Sequence, residues 1–437
     1  MKINFHRWAA MSEAQRRALC RRAEADTERI LPAVAEIIAE VRRSGDAALR
    51  RFSRQFDGAD LAGLSLRIGE EEFAAAEKEV EPAVREAIAF AVENVRRYHQ
   101  TQRPQAMSLT ETRPGVFAGE RFTPIASVGL YVPRGRGSFP SVAYMLAVPA
   151  VLAGVPRAVL VSPPDARGRL DPATLYAARL CGLEEAYRVG GAQAVAALAY
   201  GTESLPRVDK ILGPGGIYVA AAKRAVSSVV DVGLPAGPSE SVVLADESAE
   251  PRQVALDLLV EAEHGSDSSA FLATPSAGLA DEVRRILPGL LKELDGERAA
   301  FVEQVLSGYG GIVLTETLEE AVDFVNAFAP EHLMVVCREP WALLDRVRNA
   351  GEILLGEHSG FSLANYAVGC NHVLPTGGWA RSSSALSLRD FLKASSVVYL
   401  TEGGLAGLSG PVARLASYEG FSAHALAVTA RPAARRD

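Results

Sequence analysis

The chain has 437 residues, 48% of them hydrophobic and 23% charged, with a net charge of −7. That is an ordinary globular composition, with room for roughly two to four domains. Acidic and basic residues are mixed and no basic stripe stands out, so nucleic acid is not an expected partner. The longest apolar stretch, Ser141–Val155, is broken by Pro149 and too short to span a bilayer, so no membrane partner is expected either. Met1–Trp8 lacks an apolar signal core, and Cys20, Cys181, Cys337 and Cys370 are far apart with no CxxC spacing. A reduced, cytoplasmic setting is expected, without a thiolate zinc cluster.

The first hundred residues are helical in pattern. Apolar residues recur at three- and four-residue spacing over Glu24–Arg43 and Glu70–Gln100, and Lys78–Tyr98 reads as one long charged amphipathic helix. From Phe122 the character changes. Ala126–Val132 reads as a strand, followed by a Gly/Arg/Pro loop and the apolar helix Val142–Ala153. Strand–turn–helix then recurs, with strands at Arg157–Ser162, Ala186–Val189 and Lys210–Leu212. Helices over Pro172–Cys181, Ala192–Tyr200 and Ile217–Ser228 complete the pattern of a parallel α/β sheet. Such sheets bind ligands at the carboxyl ends of their strands, which makes the turns Gly190-Gly191 and Gly213–Gly216 candidate phosphate-binding loops. A second α/β stretch follows, with strands at Ser241–Ala245, Ala270–Ala273, Gly311–Leu314, Leu333–Cys337 and Gly351–Leu355. After Asp390 a tail remains, with a strand at Ser396–Leu400, a helix around Gly410–Tyr418 and a frayed end at Arg431–Asp437.

Five of the seven histidines fall after residue 260. Glu261 and His264 are three apart at the end of a helical run, so a carboxylate and an imidazole share one face and can hold a divalent ion. Spacing alone is weak support for that and favours a surface Glu-His pair; Glu263 faces elsewhere. Glu331-His332 follows Pro330 and leads into a strand, where neighbours point to different sides. The two can approach one substrate as acid–base groups, or simply be a satisfied helix-end pair. Asn365 and Asn371-His372 lie among Gly and Pro, which suits a binding loop. His424, near the C-terminus, has no evident structural task and reads by itself as a surface histidine. Gly135-x-Gly137-x-x-Pro140 is an incomplete dinucleotide fingerprint with no acidic residue placed for a ribose, and it is discounted.

In combination these motifs resemble histidinol dehydrogenase. Val128–Pro133, Val189–Ala194, Gly201–Ser204, Val208–Gly215, Ala236–Glu240, Glu261–His264, Ala329–Leu333, Asn371–Thr376 and Glu419–His424 occur in that family's order, covering nearly the whole chain. The resemblance implies a zinc- and NAD-dependent enzyme that oxidises an amino alcohol to the acid by two hydride transfers through a bound aldehyde. It implies metal ligands at Glu261, His264, Asn365 and His424. It makes Glu331 the residue that activates water and His332 the proton acceptor. Ser239, His372 and Glu419 match substrate positions, alongside the metal ligands and His332; Tyr131, Gln193 and Gly216 match NAD positions. An intertwined homodimer is implied, with Glu419 and His424 donated to the neighbour's site.

The chain departs from the family at four positions. Glu261 stands for Gln, Asn365 for Asp, Gly216 for Asn and Gly233 for Asp. The first two exchange a carboxylate and an amide, so the charge of the metal site is kept. The expected fold is α/β, with two Rossmann-like parallel-sheet domains, a helical N-terminal region and a small C-terminal tail domain. The divisions are an arm over 1–24; an α/β domain over 25–125 and 240–378 carrying the metal and acid–base residues; an NAD-binding domain over 126–239; and a tail over 379–437 exchanged in the dimer. L-Histidinol is the expected substrate. Alternatives are another polar primary alcohol, a metal-binding protein without dehydrogenase activity, or metal-assisted hydrolysis, which would leave Tyr131 and Gln193 without a task.

Overall fold

The structure is a computed structural model that describes residues 2–20, 24–134 and 137–431. Gly135 of the discounted fingerprint, and 432–437 of the expected frayed end, lie outside the described residues. The chain divides into two compact units, residues 1–102 with 126–391 and residues 103–125 with 392–437.

Both parallel sheets belong to the first unit, as the α/β reading expects. The four-stranded sheet runs Glu185–Arg188, Arg157–Ser162, Ser127–Tyr131 and Lys210–Leu212 in spatial order. The six-stranded sheet runs Phe5–Arg7, Gly311–Leu314, Ser269–Thr274, Glu240–Ala245, His332–Val336 and Glu352–Leu355. Its inner strands are buried at every position. This is why they read as continuous apolar runs rather than as alternating ones: helices cover both faces of a parallel sheet. One face packs on the helices Pro251–Ala262 and Ala277–Leu290, the other on Leu318–Phe328, where Phe271, Phe324 and Phe328 meet edge-on or stacked.

The helices before residue 100 do not join the six-stranded sheet with which the sequence division grouped them. Val34, Ile37, Val41 and Leu49 of Glu24–Phe52 pack instead against Val195, Leu198, Val219 and Ala222, on helices that flank the four-stranded sheet. The expected single helix over Lys78–Tyr98 is two helices, Glu70–Glu79 and Pro82–Gln100. Pro82 supplies no amide hydrogen, and it begins the second helix at a position where none is needed. The three-residue strand Phe5–Arg7 of the N-terminal arm extends the six-stranded sheet beside Gly311–Leu314.

The second unit holds an antiparallel sheet of Leu392–Leu400, Val116–Pro124 and Met107–Arg113, in that order. The tail strand is thus longer than expected, and the Met107–Pro124 hairpin turns at Pro114-Gly115, a dipeptide suited to a tight turn. Helices Glu402–Tyr418 and Ser422–Thr429 complete the unit. No helix among the described residues is long and apolar enough to cross a membrane.

Candidate active site

The acid–base residues lie at the amino edge of the six-stranded sheet, opposite to the edge at which parallel sheets ordinarily bind ligands. His332 opens its strand and pairs in register with Glu352 on one side and Ser241 on the other. The helix Pro251–Ala262 follows the strand Glu240–Ala245 and runs back, so its last turn returns Glu261 to that same edge. His264 lies just past the helix end, its Nδ1 3.6 Å from Glu261 Oε2 and 3.0 Å from Ser239 Oγ. Asn365, on the short helix Phe361–Tyr366, donates from Nδ2 to Glu261 Oε1 at 2.7 Å.

The approach to Glu331 is tightly constrained. Ala329 ends the preceding helix at φ 53°, the one non-glycine residue with positive φ among the described residues. Such a conformation persists only where the surroundings hold it. Gly351 crosses so close that a Cβ there would sit 2.5 Å from the Glu331 carbonyl oxygen. The two residues of the Glu331-His332 pair do converge, contrary to the divergence open to neighbours on a strand: His332 Nε2 lies 3.7 Å from Glu331 Oε1 and 3.9 Å from Glu261 Oε1.

Two further carboxylates complete the cluster, neither singled out by sequence reasoning. Glu352 accepts from His332 Nδ1 at 2.5 Å, which sets the tautomer and turns Nε2 toward Glu331 and Glu261. Glu240 holds Glu331 through its backbone, its N–H donating to Glu331 Oε2 at 3.0 Å, while its own Oε1 accepts from the Gly377 amide at 2.9 Å. Glu240 lies inside a quoted motif and could have been flagged. Glu352 is visible only once strands are paired.

The electrostatics follow from burying four carboxylates and an imidazole together. Burial pushes the Glu331 carboxyl well above the usual carboxylate range; Glu261 and Glu240 add to this and His332 opposes it. Burial by itself would lower His332, but Glu261, Glu331 and Glu352 outweigh it and raise it to about 10. Burial also disfavours ionised Glu261, yet His264, His332 and the Asn365 amide hold it below its ordinary value. His372 is taken down to about 4 by burial, and its Nδ1–H donates to the Asn365 carbonyl at 2.5 Å. His372 is therefore a neutral imidazole that fixes the backbone carrying Asn365.

These residues fit a divalent ion. Glu261 Oε2 and Asn365 Oδ1 are both buried without a hydrogen-bond partner among the described residues, and Glu261 Oε2 lies beside His264. Leaving two such oxygens bare is costly, and a cation is the partner that oxygen acceptors alone would suit. Among the described residues no three His, Cys, Asp or Glu side chains form a metal-holding group. His424 and Glu419, the other residues drawn into the site by resemblance, stand exposed on the second unit, where the His424 ring lies 5.2 Å from that of Phe421.

The expected NAD residues lie at the carboxyl edge of the four-stranded sheet. Tyr131 ends its strand, and its hydroxyl accepts from the Gly191 amide at 3.0 Å. Gln193 is 1% exposed, and neither its side-chain oxygen nor its nitrogen has a hydrogen-bond partner among the described residues. Gly216 caps the helix Ile217–Val226, with open space where a side chain would stand. The loop before it is held by Lys223, which donates to the Gly213 carbonyl at 2.7 Å.

The comparisons with known proteins agree with this picture. The family model for histidinol dehydrogenase matches residues 20–432. A histidinol dehydrogenase of Synechocystis sp. is 52% identical over 96% of this chain and 97% of its own length. A histidinol dehydrogenase homolog of Rhizobium meliloti is 50% identical over 98% of this chain and 94% of its own. The crystal structure of histidinol dehydrogenase from Elizabethkingia anophelis superposes with a TM-score of 0.92 at 33% identity, covering 98% of this chain and 97% of that one. The chain belongs to the histidinol dehydrogenase family.

Proposed function

We propose that the protein is a zinc- and NAD-dependent dehydrogenase that oxidises L-histidinol to L-histidine through bound L-histidinal, the last step of histidine biosynthesis. The observation that carries this reading is the convergence of Glu331 and His332 on the buried Glu261–Asn365 pair and His264. Glu261, His264 and Asn365 would hold the metal, which orients and polarises the substrate's oxygen. With Glu261 neutralised in this way, His332 is released from much of the carboxylate field that raises it and can accept a proton at Nε2. His332 removes the hydroxyl proton as the carbinol carbon gives up a hydride, for which NAD, held by Tyr131, Gln193 and Gly216, would supply the acceptor. Glu331, whose ionised form the protonated His332 beside it favours, then takes a proton from the water that adds to the aldehyde carbon, and the hydrate's hydride would go to a second NAD. The net change is the alcohol, one water and two NAD giving the acid, two NADH and their protons.

Ser239 and His372 flank the substrate in this reading. Glu419 and His424 serve the neighbouring subunit of a cytoplasmic homodimer, with His424 as that subunit's fourth metal ligand. A second reading keeps the chemistry but takes another polar primary alcohol, and the carboxylate at position 261 favours it, because negative charge there sits on the helix rather than on the Asn365 segment. NADH formation from NAD by the purified, zinc-loaded protein tests both. Turnover of L-histidinol supports the first, turnover of a different alcohol alone supports the second, and no turnover with any alcohol overturns both.

A further inference from the structure

A cavity of about 730 Å³ lies beside the Gly191–Tyr200 helix N-terminus. Its floor is Gly191 and Gln193, the Tyr218 ring stands at one side, and Ile37, Phe52 and Phe56 of the N-terminal helical segment form an apolar wall. It therefore adjoins the Tyr131–Gly191 contact at the carboxyl edge of the four-stranded sheet. That sheet reverses its order here: the chain steps outward from Ser127–Tyr131 to two strands on one side, then returns to place Lys210–Leu212 on the other. Such a switch point is where open α/β sheets take nucleotides.

The cavity's charge is one-sided. Asp57, Glu36 and Glu40 line it, with Arg51 beside them, and Arg134 lies near enough to Asp57 to act on its charge. Arg51 is already engaged, donating to Glu40 Oε1 at 2.9 Å. Asp57 is different: its Oδ2 is buried and has no hydrogen-bond partner among the described residues. Asp57 ends a π-helical turn, Ser53–Asp57, a distortion often kept for positioning a functional group. Burial pushes its carboxyl up to about 6, with Ser53 and Arg134 opposing the shift. A buried acceptor left bare, in one cavity with a bare, buried Gln193 amide, marks a polar site built for a ligand with hydroxyl donors.

We propose that Asp57 binds the adenosine ribose hydroxyls of NAD and is the residue that excludes NADP. The proposal rests on the cofactor reading given above and adds to it a residue contributed by the N-terminal helices. A carboxylate accepts from both hydroxyls of a ribose diol, whereas a phosphate on the 2′-oxygen would face Asp57 and Glu36 with Arg51 already paired to Glu40 and Arg134 already donating to the Arg169 carbonyl. The discounted glycine pattern after Tyr131 lacks a following acid, and Asp57 supplies that acid from a different part of the fold.

Dissociation constants for NADH and NADPH, measured by calorimetry on the zinc-loaded protein, test this. The unaltered protein should bind NADH at least about fiftyfold more tightly than NADPH. Asp57→Asn should weaken NADH roughly tenfold and shrink the preference by about tenfold, the scale of one charge-assisted hydrogen bond. On the unaltered protein, NAD lacking the adenosine 2′-hydroxyl should bind about tenfold more weakly than NAD, a measurement independent of whether the variant folds. Equal binding of NAD and its deoxy form, or an unchanged preference in Asp57→Asn, overturns the role of Asp57 and leaves the NAD reading standing. Failure of the unaltered protein to bind either dinucleotide overturns the NAD reading itself.

Discussion

The Glu261–Asn365 pair gives the sharpest quantitative test. Asn365 Nδ2 now donates to Glu261 Oε1 at 2.7 Å. Asn365→Asp alone replaces that contact with two carboxylate oxygens at similar spacing, a repulsion of about 6 kcal/mol at an effective dielectric of about 20. Uptake of one proton limits the cost to about 3–4 kcal/mol at neutral pH. In a chelator, this variant should therefore lose several degrees in thermal midpoint. Glu261→Gln alone keeps an amide oxygen to accept from Asn365, so its chelated stability should change little. It lacks the anionic ligand, however, and zinc should bind more weakly on the order of a hundredfold, equivalent to about 2.7 kcal/mol. The double variant restores one carboxylate and one amide in exchanged positions. It should recover the stability of the unaltered protein in chelator and bind zinc within about tenfold of it. Thermal unfolding with and without chelator, together with competitive zinc titration, reads both quantities. A double variant no better than the singles would refute the reasoning, as would an Asn365→Asp protein of unaltered stability in chelator.

Two other predictions concern groups with separate tasks. Glu331→Gln should slow the aldehyde-to-acid step by about a hundredfold or more while affecting the alcohol step less, because only the former adds water; single-turnover NADH traces started from alcohol and from aldehyde would reveal equal losses if the role is misassigned. Lys223 is buried and lowered by burial to about 8 from 10.5, so between those pH values the unfolded chain holds the extra proton and stability climbs with pH. The stability of the unaltered protein relative to Lys223→Met should thus rise by roughly 3 kcal/mol across that window. Urea midpoints whose difference is the same at both ends would contradict it.

Much of the fold is written locally. The strands Glu240–Ala245, Ser269–Thr274 and His332–Val336 are buried throughout, so apolar runs between turn residues announce them. Met107–Arg113 escapes the same reading because it is exposed at every position and carries no apolar period. Phe5–Arg7 escapes it because three residues are too few for a pattern. The break at Pro82 is overridden by helical spacing on either side, although proline there marks a helix start.

The candidate site divides the same way. Glu261/His264 and Glu331-His332 are contiguous in sequence, so their residue types and spacing suggest chemistry before any fold is known. Their meeting is a tertiary event: the helix Pro251–Ala262 must run back along the sheet to bring Glu261 to the strand that His332 opens. Glu352 reaches His332 only through parallel register, and Asp57 lines one cavity with Gln193 only because the N-terminal helices pack on the helices of the four-stranded sheet. Sequence alone determined the α/β class and the family and singled out the candidate reactive groups, since these depend on local periodicity and residue type. The tertiary structure decided which carboxylates crowd His332, which buried oxygens are left bare and which acid lines the cavity with Gln193, because proximity and burial are properties of pairs far apart in the chain.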